Sequence, residues 1–186
     1  GFGLLFVECS PAAGEKLIKG VKGDIPQKNV EVLRLEKAVV RVFDLVADIV
    51  NGRAIDILFI MGLESSFYEY ESLKRQKGWS SKDIYSYSWK GVPPILDHLN
   101  QQRENFRDNF DVCFVFLVPR FVVNYFVRRA PDFFDWRSGL FRLPMDVESL
   151  KRETSLVCST RESSSSLHRI RRTEEGGTED HSIHSS

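Results

Sequence analysis

Five short strand-like runs, four of them followed by a helical pattern, restrict this chain to few folds. Leu4–Glu8 reads as a strand ended by the Ser10-Pro11 turn signal, and Val30–Leu35 alternates apolar and polar residues as a second strand does. Ile55–Gly62 and Val112–Val118 are continuously apolar and rich in β-formers, and Leu140–Leu143 is a short fifth run. Between them lie helical patterns at Ala12–Val21, closed by Gly23, and at Lys37–Val50, stopped by Asn51-Gly52. A short helix is expected around Tyr68–Lys77, before an exposed loop near Gly78-Trp79-Ser80-Ser81. Pro93-Pro94 opens a helix through about Asn109, and Pro119 opens another that Pro131 ends.

Strands that alternate with helices and are themselves continuously apolar belong to a sheet covered on both faces. The expected fold is a three-layer α/β domain with a mostly parallel, five-stranded sheet and helices on both faces. It spans residues 1–146 of a 186-residue chain, a length that buries one sizeable core. From Arg161 onward Ser, Arg, His, Glu and Gly dominate, so residues 147–186 are expected to form a disordered polar tail, with a frayed helix at most over Glu148–Thr160.

Charge and cysteine content exclude several classes of function. The 26 basic and 26 acidic residues cancel, which gives no electrostatic reason to expect nucleic acid or an anionic membrane as partner. No apolar run has the length of a membrane span, and Gly1–Val7 lacks the basic region and cleavage site of a signal peptide. Cys9, Cys113 and Cys158 are too few and too scattered for a disulfide framework, so reduced thiols and a cytoplasmic location are expected. His98, His168, His181 and His184 have no Cys or carboxylate at ligand spacing, so no metal site is expected, and His98 reads as a surface residue.

Phosphate chemistry is the one candidate with a recognisable place. Cys9-Ser10-Pro11-Ala12-Ala13-Gly14-Glu15-Lys16 follows the first strand, where G-x-x-x-x-G-K-S/T would cradle phosphates and hold magnesium. Gly14 matches the second glycine, but Cys9 stands at the first, Glu15 at the lysine and Lys16 at the hydroxyl. The favoured reading is an ordinary strand–turn–helix with close packing at Ala12-Ala13-Gly14 and solvated Glu15 and Lys16. The third strand ends Met61-Gly62-Leu63-Glu64, so Gly62 occupies the place of a metal-binding Asp. Glu64, two residues on, is expected to be solvated or to sit against a helix terminus. No catalytic residue stands out.

The ordered pieces Gly62-Leu63-Glu64, Leu99-Asn100-x-x-Arg103-Glu104 and Ala130-Pro131-Asp132-Phe133-x-x-Trp136-Arg137-Ser138-Gly139-x-Phe141 resemble the amino-terminal P-loop-NTPase-like domain of bacterial signalling proteins of the AAA or STAND kind. Those proteins often carry tetratricopeptide repeats downstream. The resemblance implies a cytoplasmic regulatory or adaptor module, often with a degenerate P-loop, whose partner is a protein or a repeat domain. It implies no resident cofactor; the alternative is weak ATP or GTP binding with magnesium through Gly14, Lys16, Glu64, Arg103 and Arg137. A small α/β enzyme of unknown substrate is a third reading. At the corner, Trp136 and Phe141 are expected to anchor the last strand. Arg137 is expected to stack on Trp136 or Phe134 and to pair with Asp132 or Asp135. The aromatic stretch Glu64–Trp89, with Trp79, Tyr85, Tyr87 and Trp89, is expected to cover a sheet edge or bind protein.

Overall fold

A computed structural model describes residues 1–85 and 91–144. The expected tail, with Cys158, His168, His181 and His184, lies outside the described residues, as do Tyr87 and Trp89. Twelve elements follow in order: β1 (Gly3–Glu8), α1 (Pro11–Asp24), β2 (Val30–Arg34), α2 (Val42–Val50), β3 (Ile57–Met61), α3 (Glu64–Gln76), α4 (Ser81–Tyr85), α5 (Pro94–Asn109), β4 (Cys113–Val118), α6 (Arg120–Arg129), α7 (Pro131–Asp135) and β5 (Gly139–Arg142). The five strands form one sheet in the order β2-β3-β4-β1-β5, and every neighbouring pair is parallel.

This strand order decides where the helices go. The connection from β1 to β2 runs across the sheet in one direction, and the later connections run in the other. Right-handed crossovers then put α1 alone on one face and the other main helices on the opposite face. The core divides accordingly. Val7, Phe59, Val115 and Leu117 meet Ile18, Leu17 and Val21 of α1. On the other side Leu4, Phe6, Leu58, Ile60, Phe114 and Phe116 meet α2, α3, α5, α6 and α7. Even in these continuously apolar strands, successive side chains serve opposite layers.

Aromatic rings fill the thicker side. Phe6 of β1 stacks on Phe116 of β4 at 5.1 Å and meets Phe126 and Phe134 edge-on, each at 4.9 Å. Phe133 lies 5.9 Å from both Phe106 and Phe116. Edge-to-face and offset arrangements suit the ring quadrupole. They bind α7 and α5 to the two central strands.

Four details depart from the sequence reading, each for a long-range reason. The helix expected from Lys37 begins at Val42, because buried Ser66 Oγ both accepts from the Val39 amide and donates to the Val39 carbonyl, holding that segment as a loop. The loop expected at Gly78–Ser81 leads straight into α4, where Ser80 Oγ accepts from the Asp83 amide and Asp83 Oδ2 accepts from the Ser80 amide, a capping exchange. Pro131 ends α6 but also opens the five-residue α7. His98 is half-buried rather than a surface residue: its Nε2 accepts from the Phe43 amide at 3.3 Å, in the first turn of α2.

Candidate functional site

In an open parallel sheet, the place for a ligand is the crevice at the carboxyl ends of two neighbouring strands whose following helices leave toward opposite faces. Here those strands are β1 and β4. A cleft lies there, lined by Cys9, Ser10, Gly14, Gly62, Glu64 and Leu117 among others. It is narrow, about 10 Å³, which is room for about one water.

Its floor is shaped by two glycines. A Cβ on Gly14 would stand 3.1 Å from Leu117 Cδ1 and 3.5 Å from Cys9 Sγ, so the bare glycine lets α1 settle onto β4. The expected close packing of this turn is what the structure contains. Gly62 has φ +86°, and a Cβ there would stand 2.2 Å from the Leu35 carbonyl oxygen. The Leu35 amide donates to the Met61 carbonyl at 2.9 Å, which fixes that oxygen against the end of β3. Backbone sterics therefore exclude any side chain at the position where a metal-binding Asp would stand.

The start of α1 has little left for an anion. Ser10 caps the helix: its Oγ accepts from the Ala13 amide at 3.2 Å and its carbonyl from the Gly14 amide at 2.9 Å. Glu15 turns away from the cleft and accepts two hydrogen bonds from Arg34, at 2.9 and 2.8 Å. Those bonds hold its carboxyl below the usual carboxylate range. Lys16 is exposed on α1 and does not line the cleft.

Glu64 does line it. It stands in the first turn of α3, half-buried, and its Oε2 is shut off from solvent without a hydrogen-bond partner. A carboxylate either solvated or set against a helix terminus was the expectation; the structure puts it at the start of α3, with Oε2 turned inward. Burial, and next the charge of Glu64, push the Cys9 thiol up to about 11, so Cys9 is a protonated lining group and no nucleophile. Cys113 is likewise raised by burial, and both thiols are free.

The two arginines of the alternative nucleotide reading are engaged elsewhere. Arg137 immediately precedes Ser138, whose amide donates to the Leu4 carbonyl at the start of β1. In a parallel sheet the residues before a strand and those after it lie at opposite ends, so Arg137 is at the end away from the cleft. Its guanidinium lies 4.1 Å over the Phe134 ring, donates to the Phe134 carbonyl at 2.9 Å and pairs with Asp135 at 3.5 Å. Asp132 is exposed in the first turn of α7. Arg103 stays on α5, donating to the Asn100 carbonyl at 2.8 Å and pairing with Glu104 at 3.7 Å. Of Gly14, Lys16, Glu64, Arg103 and Arg137, only Gly14 and Glu64 come together.

The corner itself needs one correction. Trp136 is half-buried against the core, with the Arg107 guanidinium 5.0 Å above its ring, but Phe141 is 56 % exposed and anchors nothing in the core. β5 is an edge strand, and no layer covers its outward side chains. What ties β5 down is backbone pairing to β1, together with Ser138, and the buried rings of Phe133 and Phe134 just before it.

Among the described residues no group of three His, Cys, Asp or Glu side chains gathers as a metal site, and no helix is long and apolar enough to cross a membrane. Compared with protein-family models, curated proteins and solved structures, the chain matches none.

Proposed function

We propose that this domain is an NTPase-like module that does not hydrolyse nucleotide and acts through protein contacts in a regulatory or signalling assembly. One observation carries the reading: Gly62, at the place of a metal-binding Asp, is held in a left-handed backbone against the Leu35 carbonyl. A chain built this way has no position there for the carboxylate that would hold magnesium. The remaining features agree. Glu15 stands at the position of the phosphate-binding lysine and is engaged by Arg34, and Ser10 accepts from the Ala13 and Gly14 amides at the start of α1. The parallel sheet with β1 between β4 and β5 accords with a sheet of the AAA or STAND kind.

Protein contact is supported by what the fold leaves uncovered. Tyr68 and Leu73 on α3, Val127 on α6, and Leu140 and Phe141 on β5 are large apolar residues 45–57 % exposed. Titration calorimetry with ATP and GTP, with and without magnesium, together with a phosphate-release assay, tests the reading. The expected result is no turnover above background. Magnesium-dependent binding and turnover that disappear in Lys16→Ala would instead establish the ATP- or GTP-binding alternative.

A further inference from the structure

α5 reaches two other helices with side chains two residues apart. His98 Nε2 accepts from the Phe43 amide at 3.3 Å, and Asn100 Oδ1 accepts from the Phe133 amide. Each acceptor meets the first turn of a helix, α2 or α7, whose own N-cap residue makes no side-chain bond. Amides at that place have no partner inside their helix, so α5 supplies what the local sequence lacks. The two caps differ in one respect. The oxygen of a side-chain amide accepts at every pH, whereas imidazole Nε2 accepts only while neutral and becomes a donor once protonated.

The surroundings of His98 decide what a second proton does. The positive end of the α2 dipole faces the ring, and protonation sets donor against donor at Phe43. The charged groups beside the ring come from both helices: Arg41 and Asp44, which pair with each other at the start of α2, and exposed Asp97 on α5. Burial is the largest influence and holds the pKa of His98 below its ordinary value, against the upward pull of the two aspartates. The ring is only half-buried, so solvent protons reach it.

The stretch that depends on this bond is bounded on both sides. Before it, Ser66 Oγ holds Val39 by amide and carbonyl, a clamp with no titratable group. After it, Val46 is buried. Within it, the Phe43 ring lies 5.3 Å from Phe106 and 5.2 Å from Phe110, a contact that does not depend on pH. Val40 and Arg41 are exposed.

We propose that His98 is an acid-operated latch on the first turn of α2: its protonation loosens the backbone of residues 40–44, while α7, capped by Asn100, stays in place. The loosened stretch belongs to the connection that leaves β2 at Leu35, beside Gly62 at the carboxyl end of the sheet. Local opening of this kind needs no nucleotide and no partner.

Amide hydrogen exchange and imidazole nitrogen shifts, read by NMR on the full chain through the titration of His98, test it. At neutral pH, Nε2 is expected to show the shift of an unprotonated, accepting nitrogen. As His98 takes up its proton, protection of the Phe43 amide, relative to the unfolded-chain rate, is expected to fall several-fold while that of Phe133 holds. In His98→Gln, whose side-chain oxygen accepts at any pH, protection of Phe43 is expected to stay level over the same range. A proton on Nε2 at neutral pH would overturn the proposal, since the ring would then not accept from Phe43. So would unchanged Phe43 protection through the titration, the same fall in His98→Gln, or an equal fall at Phe133, which marks unfolding of the whole domain. All but one of these readouts come from the parent protein alone and stand even where the variant fails to fold.

Discussion

Asn100 Oδ1 accepts the Phe133 amide hydrogen at 2.9 Å, so a side chain of α5 caps α7 from a distance. The N-cap residue of α7 is Ala130, which has no polar side chain to offer, and five residues make a helix too short to persist alone. The two segments Leu99–Glu104 and Ala130–Phe141 therefore meet through a helix cap. Asn100→Ala is expected to lower stability by about 1 kcal/mol, the usual cost of a lost cap. Asn100→Asp, which keeps the acceptor and adds a charge favourable to a helix start, is expected to recover most of it. Urea denaturation of the three proteins measures the difference.

Gly62 tolerates no replacement. The left-handed backbone alone costs a side chain about 1–3 kcal/mol, and a Cβ there collides with the Leu35 carbonyl. Gly62→Ala is expected to melt far below the parent. Gly14→Ala has one tight contact, with the flexible tip of Leu117, and none with backbone, so its effect is expected to be clearly smaller. Equal melting temperatures for the two variants would contradict this account of the cleft floor.

His98 predicts a dependence on pH. Burial holds its pKa below the ordinary value of 6.5, as does Arg41 more weakly, while Asp44 and Asp97 pull it upward. Its neutral Nε2 accepts the Phe43 amide at the start of α2, a bond that the protonated ring cannot make. The unfolded chain thus takes up a proton that the native ring resists. This stabilisation is complete above pH 6.5 and is lost as pH falls from there toward the lowered native value. His98→Gln, which retains an acceptor, is expected to flatten that part of the stability profile relative to the parent, as read by thermal melts between pH 7.5 and 5.

The exposed edge makes a contrast between two phenylalanines seven residues apart. Phe134 is 4 % exposed and packs on Phe6, so Phe134→Ala is expected to cost about 3–5 kcal/mol. Phe141→Ala, on the uncovered side of β5, is expected to cost within about 1 kcal/mol. Arg137→Ala removes a stacking contact, a hydrogen bond to the Phe134 carbonyl and a weak exposed pair, about 1–2 kcal/mol together. Chemical denaturation ranks all three.

The strands were legible in the sequence because each apolar run is bounded by turn residues and is too short for a helix. The strands begin within a few residues of where the pattern puts them, while their pairings, such as Val30↔Ile57 and Gly3↔Cys113, were not in the pattern. What local pattern does not contain is partnership. Val39 has helical spacing, yet Ser66 from α3 holds its backbone in a loop. Phe141 is as apolar as Phe134, yet only the order of strands reveals that one faces solvent. The place of the P-loop was legible from the turn after β1, but the inward carboxylate of Glu64 follows from the fit of α3 onto the sheet. Arg103 and Arg137 entered the alternative nucleotide site by sequence analogy; parallel topology puts Arg137 at the other end, and Arg103 stays in local contacts on α5.

The position of β1 inside the sheet has a consequence during synthesis. Its two neighbours are β4, starting at Cys113, and β5, starting at Gly139, and the Leu4 amide reaches Ser138 across 134 residues of chain. While β2 and β3 can pair as soon as both leave the ribosome, β1 waits with its apolar residues and both backbone edges unsatisfied until more than a hundred further residues have emerged. Loop closure over that distance is slow, and an unpaired apolar strand is a template for the wrong partner in the meantime. For this chain the hazardous interval is translation itself, and its length is set by how quickly the ribosome reaches β4.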